Sequence, residues 1–288
     1  ALCLCLTLLP TMAAAEKTAG TATEVKTSDE LVGALADPNV TTIKLIKEDI
    51  TVNATENVKE LTIDRPITLV NSSRAPLHLH LPLTIAEDGA LTLDGLEGVV
   101  SLNPYKGMVV NGSLTVGAGC GVLFEGENAS LVINQGGTVT TQPAGENTIS
   151  GLLSLGKNAA LTVDGTLVNN GRLSVSNMEN LKKAASIGGD LILDDITITE
   201  DYTLDMKGCT LTIGHVTFLD ANLIVKNASR VDATGVTISG GSYYCPVTVG
   251  NAEGVITGGS FYGSRSDIRA AARAGLPLIF PAARSTTN

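Results

Sequence analysis

From Val40 onward the chain beats apolar–polar–apolar in short runs. They begin with Thr42-Ile43-Lys44-Leu45, Leu61-Thr62-Ile63, Leu83-Thr84-Ile85, Leu91-Thr92-Leu93 and Leu114-Thr115-Val116. The series continues through Leu131-Val132-Ile133, Leu161-Thr162-Val163, Leu173-Ser174-Val175, Leu191-Ile192-Leu193, Leu211-Thr212-Ile213 and Leu223-Ile224-Val225. A period of two sends successive side chains to opposite faces, so each run predicts a strand with one buried face. Asp94-Gly95, Asn111-Gly112, Gly136-Gly137, Asp164-Gly165, Asn170-Gly171 and Gly240-Gly241 fall between runs and supply tight corners.

One segment follows the helical period instead. Thr27-Ser28-Asp29-Glu30 is a capping box, and Leu31, Ala34 and Leu35 form an apolar stripe that stops at Asp37-Pro38. A lone amphipathic helix ahead of many strands is suited to covering the open end of a stack. Spacing points to a stack. Leu61 to Leu83 is 22 residues, Leu91 to Leu114 is 23, Leu152 to Leu173 is 21 and Leu191 to Leu211 is 20. A repeat of about twenty residues is the length of one solenoid coil. Near-copies recur: Ala90-Leu91-Thr92-Leu93-Asp94-Gly95 as Ala160-Leu161-Thr162-Val163-Asp164-Gly165, and Ile238-Ser239-Gly240-Gly241-Ser242-Tyr243 as Ile256-Thr257-Gly258-Gly259-Ser260-Phe261. A β-sandwich is the competing architecture, but it would bring hairpin turns and a bulkier aromatic core. The expected fold is all-β: a single right-handed parallel β-helix of about 20 residues per rung with a short N-terminal capping helix.

Composition agrees. Hydrophobic residues make up 43% of the 288, Gly numbers 31, aromatics are 3% and Trp is absent, which suits a core of stacked Leu, Ile and Val. The net charge of −10 gives no basic stripe for phosphates and argues against a nucleic-acid partner. Residues 1–15 carry no charge and end in Ala13-Ala14-Ala15, as a secretory signal peptide does, with the start of that signal missing and too few residues to span a bilayer. The domain plan is then signal 1–15, leader 16–26, β-helix 27–263 with its helix at 27–37, and an irregular or helical tail at 264–288. Cys120, Cys209 and Cys245 remain after the signal, with no Cys-x-x-Cys pair for structural zinc. They read as small apolar core residues, with one disulfide left open.

The chain resembles the pectate-lyase-like right-handed parallel β-helix superfamily. Within it, the likeness is to uncharacterised and adhesin-like secreted bacterial surface proteins. The residues that carry it are Asp29-Glu30-Leu31-Val32-Gly33-Ala34-Leu35-Ala36 followed by Thr42-Ile43-Lys44-Leu45, then Gly89-Ala90-Leu91-Thr92-Leu93 and Gly165-Thr166-Leu167-Val168-Asn169-Asn170-Gly171. These motifs speak to architecture and not to activity.

The resemblance implies two chemistries to test, and the residues fit neither. Asp194-Asp195 and Gly214-His215 approach a polygalacturonase pattern. Val216 replaces its second glycine, Asn177, Glu179 and Asn180 give only a loose cluster one rung earlier, and no Arg-Ile-Lys follows. Calcium-assisted elimination would draw on Asp190, Asp194, Asp195, Glu200, Asp201 and Asp205 with Lys182, Lys183 or Lys207, but turn aspartates account for that stretch. His78 and His80 flank Leu79 and share one strand face without a third metal ligand, so they are expected to point to solvent.

The remaining candidates are Tyr243, Tyr244, Phe261 and Tyr262. Their 18-residue offset places the two pairs on neighbouring rungs, one member of each facing in and one facing out toward a glycan. The expectation is a non-catalytic, monomeric, secreted or cell-surface module for adhesion or glycan contact, with no cofactor, metal or membrane span. The alternative is a polysaccharide lyase or glycoside hydrolase of the pectin type.

Overall fold

The computed structural model describes residues 20–47, 49–72, 76–95, 100–146, 148–233, 239–245, 247–248 and 258–262. The signal at 1–15, the tail at 264–288 and Ile238, Ile256 and Thr257 of the second near-copy lie outside these residues.

The strands coil into a parallel β-solenoid of about 9 turns, about 23 residues apart. One face stacks seven strands in the order Thr21–Val25, Val40–Leu45, Pro66–Asn71, Ala90–Asp94, Ser113–Val116, Thr138–Thr141 and Thr166–Asn169. A second face runs ten strands from Ile50–Asn53 to Val247–Thr248, and a third runs five from Leu61–Ile63 to Ala160–Val163. Two further sheets follow, Ile196–Ile198 with Val216–Phe218, and the stack Tyr202–Asp205, Leu223–Lys226, Ser242–Tyr244 and Ser260–Phe261.

Register explains the core. On the third face Leu61, Leu83, Met108, Leu131 and Leu161 lie one above another, all buried. On the second, Leu173, Leu191, Leu211 and Val231 do the same. Each fully buried side chain of this size stabilises the column by about 1.5–3 kcal/mol, and no large aromatic is needed because each coil only has to match its neighbours. Outward positions stack as well: Thr42, Thr68, Thr92, Thr115 and Thr140 occupy five successive strands in register.

Coil length varies. Val139 pairs with Leu167, 28 residues on, whereas Leu211 pairs with Val231, 20 on. Leu153, and not Leu152, is the partner of Leu173. The near-copies at 90–95 and 160–165 stand on different faces, the first and the third. Their likeness is that of one strand and its corner, not of one place in the coil.

A column of glycines forms the corner leading into the first face. The carbonyl of Gly89 accepts from Ser113 N–H at 3.0 Å, that of Gly112 from Thr138 at 2.8 Å and that of Gly137 from Thr166 at 2.9 Å. A Cβ on Gly137 would meet the Val110 carbonyl oxygen, and one on Gly112 the Gly89 carbonyl. Gly137→Val is therefore expected to cost about 2–3 kcal/mol by prising adjacent coils apart, read as a lower urea midpoint. An unchanged midpoint would mean that the corner has room the backbone does not show.

Helix α1 (Ser28–Ala36) forms where the capping box lies. The Thr27 side chain accepts from Glu30 N–H at 3.2 Å, and Glu30 reaches back to the Lys26 N–H at 2.6 Å. Its buried residues are Leu31 and Ala34. It packs on the strands of the first coil and on Thr21–Val25, which pairs in parallel with Val40–Leu45. Arg65 ties it down. The guanidinium donates to the carbonyls of Leu35 (2.8 Å), Ala34 (3.1 Å), Asp37 and Val40 (3.2 Å) around the helix C-terminus.

The second helix, α2 (Met178–Ile187), is not legible in the strand pattern. It sits inside the column, between Arg172–Val175 and Asp190–Leu193, which pair directly with each other. It packs on Ala160–Val163, Thr166–Asn169, Arg172–Val175 and Ile196–Ile198, so one coil carries a helix where its neighbours carry strands. The sheet edge it covers is satisfied by side chains. Asn180, 1% exposed, accepts from Leu161 N–H at 3.1 Å and donates to the Ala159 carbonyl at 2.8 Å. Asn177 caps the helix by accepting from Asn180 N–H at 2.8 Å, and donates to the Lys157 and Ala159 carbonyls.

Candidate functional site

The aromatic pairs fall on adjacent strands, with Tyr243 opposite Phe261. Tyr243 is buried and its ring stacks on that of Phe261, centroids 5.2 Å apart and planes 13° from parallel. Burial pushes the Tyr243 phenol well above its ordinary range. These are the inward members of the two pairs, as alternation predicts. Tyr243 belongs to the core and Phe261 packs against it, since inward positions of a solenoid are filled by side chains and closed to a ligand.

Tyr244 and Tyr262 face outward, 47% and 44% exposed. Their rings stack at 4.2 Å with planes 2° apart. The neighbouring Tyr262 phenol is the first cause of a raised Tyr244 phenol. The Lys226 ammonium lies 5.8 Å from the Tyr244 centroid, within cation–π range. Register makes this a row: Asp205, Lys226 and Tyr244 follow one another up the sheet, and Tyr262 continues it. Asp205 accepts from Asn227 Nδ2 and Lys207 N–H, both at 3.0 Å, and these bonds, the Asn227 one foremost, hold its carboxyl below the usual range. The row offers solvent ring edges, two adjoining hydroxyls and an ammonium; Tyr244's ring faces are taken by Tyr262 and Lys226.

On the second face, Leu77 and Leu79 are buried while His78 and His80 turn outward. They are not simply solvated. His80 stacks on Tyr105 at 4.6 Å and 7°, and the Tyr105 hydroxyl lies 3.2 Å from His78 Nδ1. On the other side, His78 Nε2 is 3.5 Å from the Asp49 carboxylate. Sequence alone does not reveal Tyr105 as the third member, because it comes from the next coil.

The acidic stretch disperses. Asp190 accepts from Thr210 N–H, Asp201 from Asn222 N–H, and Glu200 pairs with Lys182 at 2.6 Å. Asp195 meets His215 at 3.2 Å, both side chains at least 70% exposed. Most of these carboxylates serve corners of the next coil, and among the described residues no group of three or more His, Cys, Asp or Glu is placed to hold a metal. Cys120, Cys209 and Cys245 are free, and burial raises the thiols of Cys120 and Cys245. No described helix is long and apolar enough to cross a membrane.

No family model matches the chain, nor does any curated protein or solved structure. The parallel β-helix architecture therefore rests on strand pairing and register.

Proposed function

We propose that this chain is a non-catalytic, secreted or cell-surface β-helix module, adhesin-like in kind, whose outer flank makes glycan contacts. The observation that carries the reading is the exposed Tyr244–Tyr262 stack, held in register on a sheet whose inward side is locked by Tyr243 and Phe261. Aromatic side chains fixed in this way meet a ligand at little entropic cost, and the flanking hydroxyls and Lys226 ammonium are suited to hydroxyl-rich sugars.

A glycan array probed with the purified chain is expected to show retained ligands, and Tyr262→Ala to weaken them by roughly tenfold, the loss of about 1–2 kcal/mol of aromatic contact. Binding unchanged in both Tyr244→Ala and Tyr262→Ala would remove the ladder from the site. Digestion trials on acidic polysaccharides, with and without calcium, are expected to release no reducing or unsaturated ends. Unsaturated uronides made by the wild type and not by His78→Ala would overturn the non-catalytic reading and move attention to Asp49, His78 and Tyr105.

A further inference from the structure

We propose that Tyr244 and Tyr262 form an oxidative cross-linking site, at which a carbon–carbon bond between the two phenols staples adjacent coils. The geometry separates this pair from the rest. The chain has five tyrosines. Tyr243 is buried, Tyr202 is half-buried two coils below, and Tyr105 is stacked on His80. Only Tyr244 and Tyr262 lie ring against ring, parallel within 2° and exposed to an oxidant.

Coupling of phenoxyl radicals is limited by encounter, and a prearranged pair converts that encounter into an intramolecular step. Here the prearrangement comes from the fold. Ser242–Tyr244 and Ser260–Phe261 are paired in parallel, and the Tyr243–Phe261 stack on the inner side holds both strands in step. The Tyr244 and Tyr262 ring centroids lie 4.2 Å apart with planes 2° from parallel, so ring carbons of one phenol face those of the other.

The oxidant required is a haem peroxidase with hydrogen peroxide. Each phenol gives up one electron and one proton, the two radicals join at their ortho carbons, and each ring loses its ortho hydrogen as a proton to restore aromaticity. Since those protons return to the phenoxyl oxygens, the net change is loss of two hydrogen atoms from the protein and reduction of one peroxide to two waters. The product closes a covalent loop one coil long, and because solenoid coils are held mainly by their neighbours, that loop resists local opening. This modification is independent of glycan binding, which needs the rings and not the bond between them.

Treatment of the dilute full chain with peroxidase and peroxide tests the site. The expected result is dityrosine fluorescence in a species that stays monomeric on a denaturing gel and has lost two hydrogens. Fragment mass spectrometry is expected to place the link between residues 244 and 262. Tyr244→Phe and Tyr262→Phe keep the stacked rings and are each expected to abolish that species, whereas Tyr105→Phe leaves its yield unchanged. Formation of covalent dimers alone, persistence of the link in Tyr262→Phe, or no dityrosine while a free tyrosine peptide couples in the same tube would each overturn the proposal.

Discussion

Arg65→Met is expected to release the N-terminal helix from the column and to cost about 3 kcal/mol. The residue's guanidinium, with a side chain only 18% exposed, meets the carbonyls of Ala34, Leu35, Asp37 and Val40 at the negative end of α1. Methionine fills similar space but takes the guanidinium donors from those carbonyls in a partly dry setting, leaving Asp37 with the Val40 N–H. Lysine is expected to recover only part of the loss, because a single ammonium cannot span the spread of acceptors that a planar fork reaches. The effect should be local, since solenoid stability is close to a sum over neighbouring coils. Hydrogen exchange should quicken for Thr21–Val25 and Leu31–Ala36 while amides of Leu153–Leu155 hold their rates. A uniform acceleration along the column would show that Arg65 supports more than the cap.

The second large effect lies at α2. Asn180→Leu is expected to destabilise the chain by about 2–4 kcal/mol, since the N–H of Leu161 loses its acceptor in the interior and the carbonyl of Ala159 is left with Asn177 alone of its two side-chain donors. Asn180→Asp keeps an acceptor for Leu161 but removes the donor to Ala159 and buries a charge, so it should fare no better. Urea unfolding followed by circular dichroism gives the size of the effect. A second signature is new protease cleavage near residues 176–190, where the column loses its filler. A leucine variant as stable as the wild type would mean that α2 is held by Leu181 and Ala184 packing, with its amide bonds incidental.

Several features of the candidate site were legible before any coordinates. The 18-residue offset of Tyr243-Tyr244 and Phe261-Tyr262 implies adjacent coils, and alternation implies that one ring of each pair faces inward, as register and burial show. Alternation is equally sufficient for Leu77 and Leu79 to face in and His78 and His80 to face out. The clasp of Asp49 and Tyr105 around His78 was not legible, because its three members come from three successive coils and their meeting depends on the lengths of the corners between them. Arg65 escaped for a similar reason: an arginine beside an aspartate reads as a surface ion pair, and only the docked helix supplies the carbonyls it meets.

By itself the sequence determined what is local. Two-residue alternation makes strands, Gly and Asn make corners, and the Thr27–Glu30 box starts a helix, because each depends on residues within a few positions of one another. Stacking in parallel follows from the repeat of that local unit. The tertiary structure alone decided which face each strand occupies, so that 90–95 and 160–165 share a pattern and not a position. It also decided that α2 replaces strand in one coil. A face assignment accumulates from every corner length before it, and a buried sheet edge accepts any partner that satisfies its hydrogen bonds. The side-chain amide of Asn180 does this as a strand would.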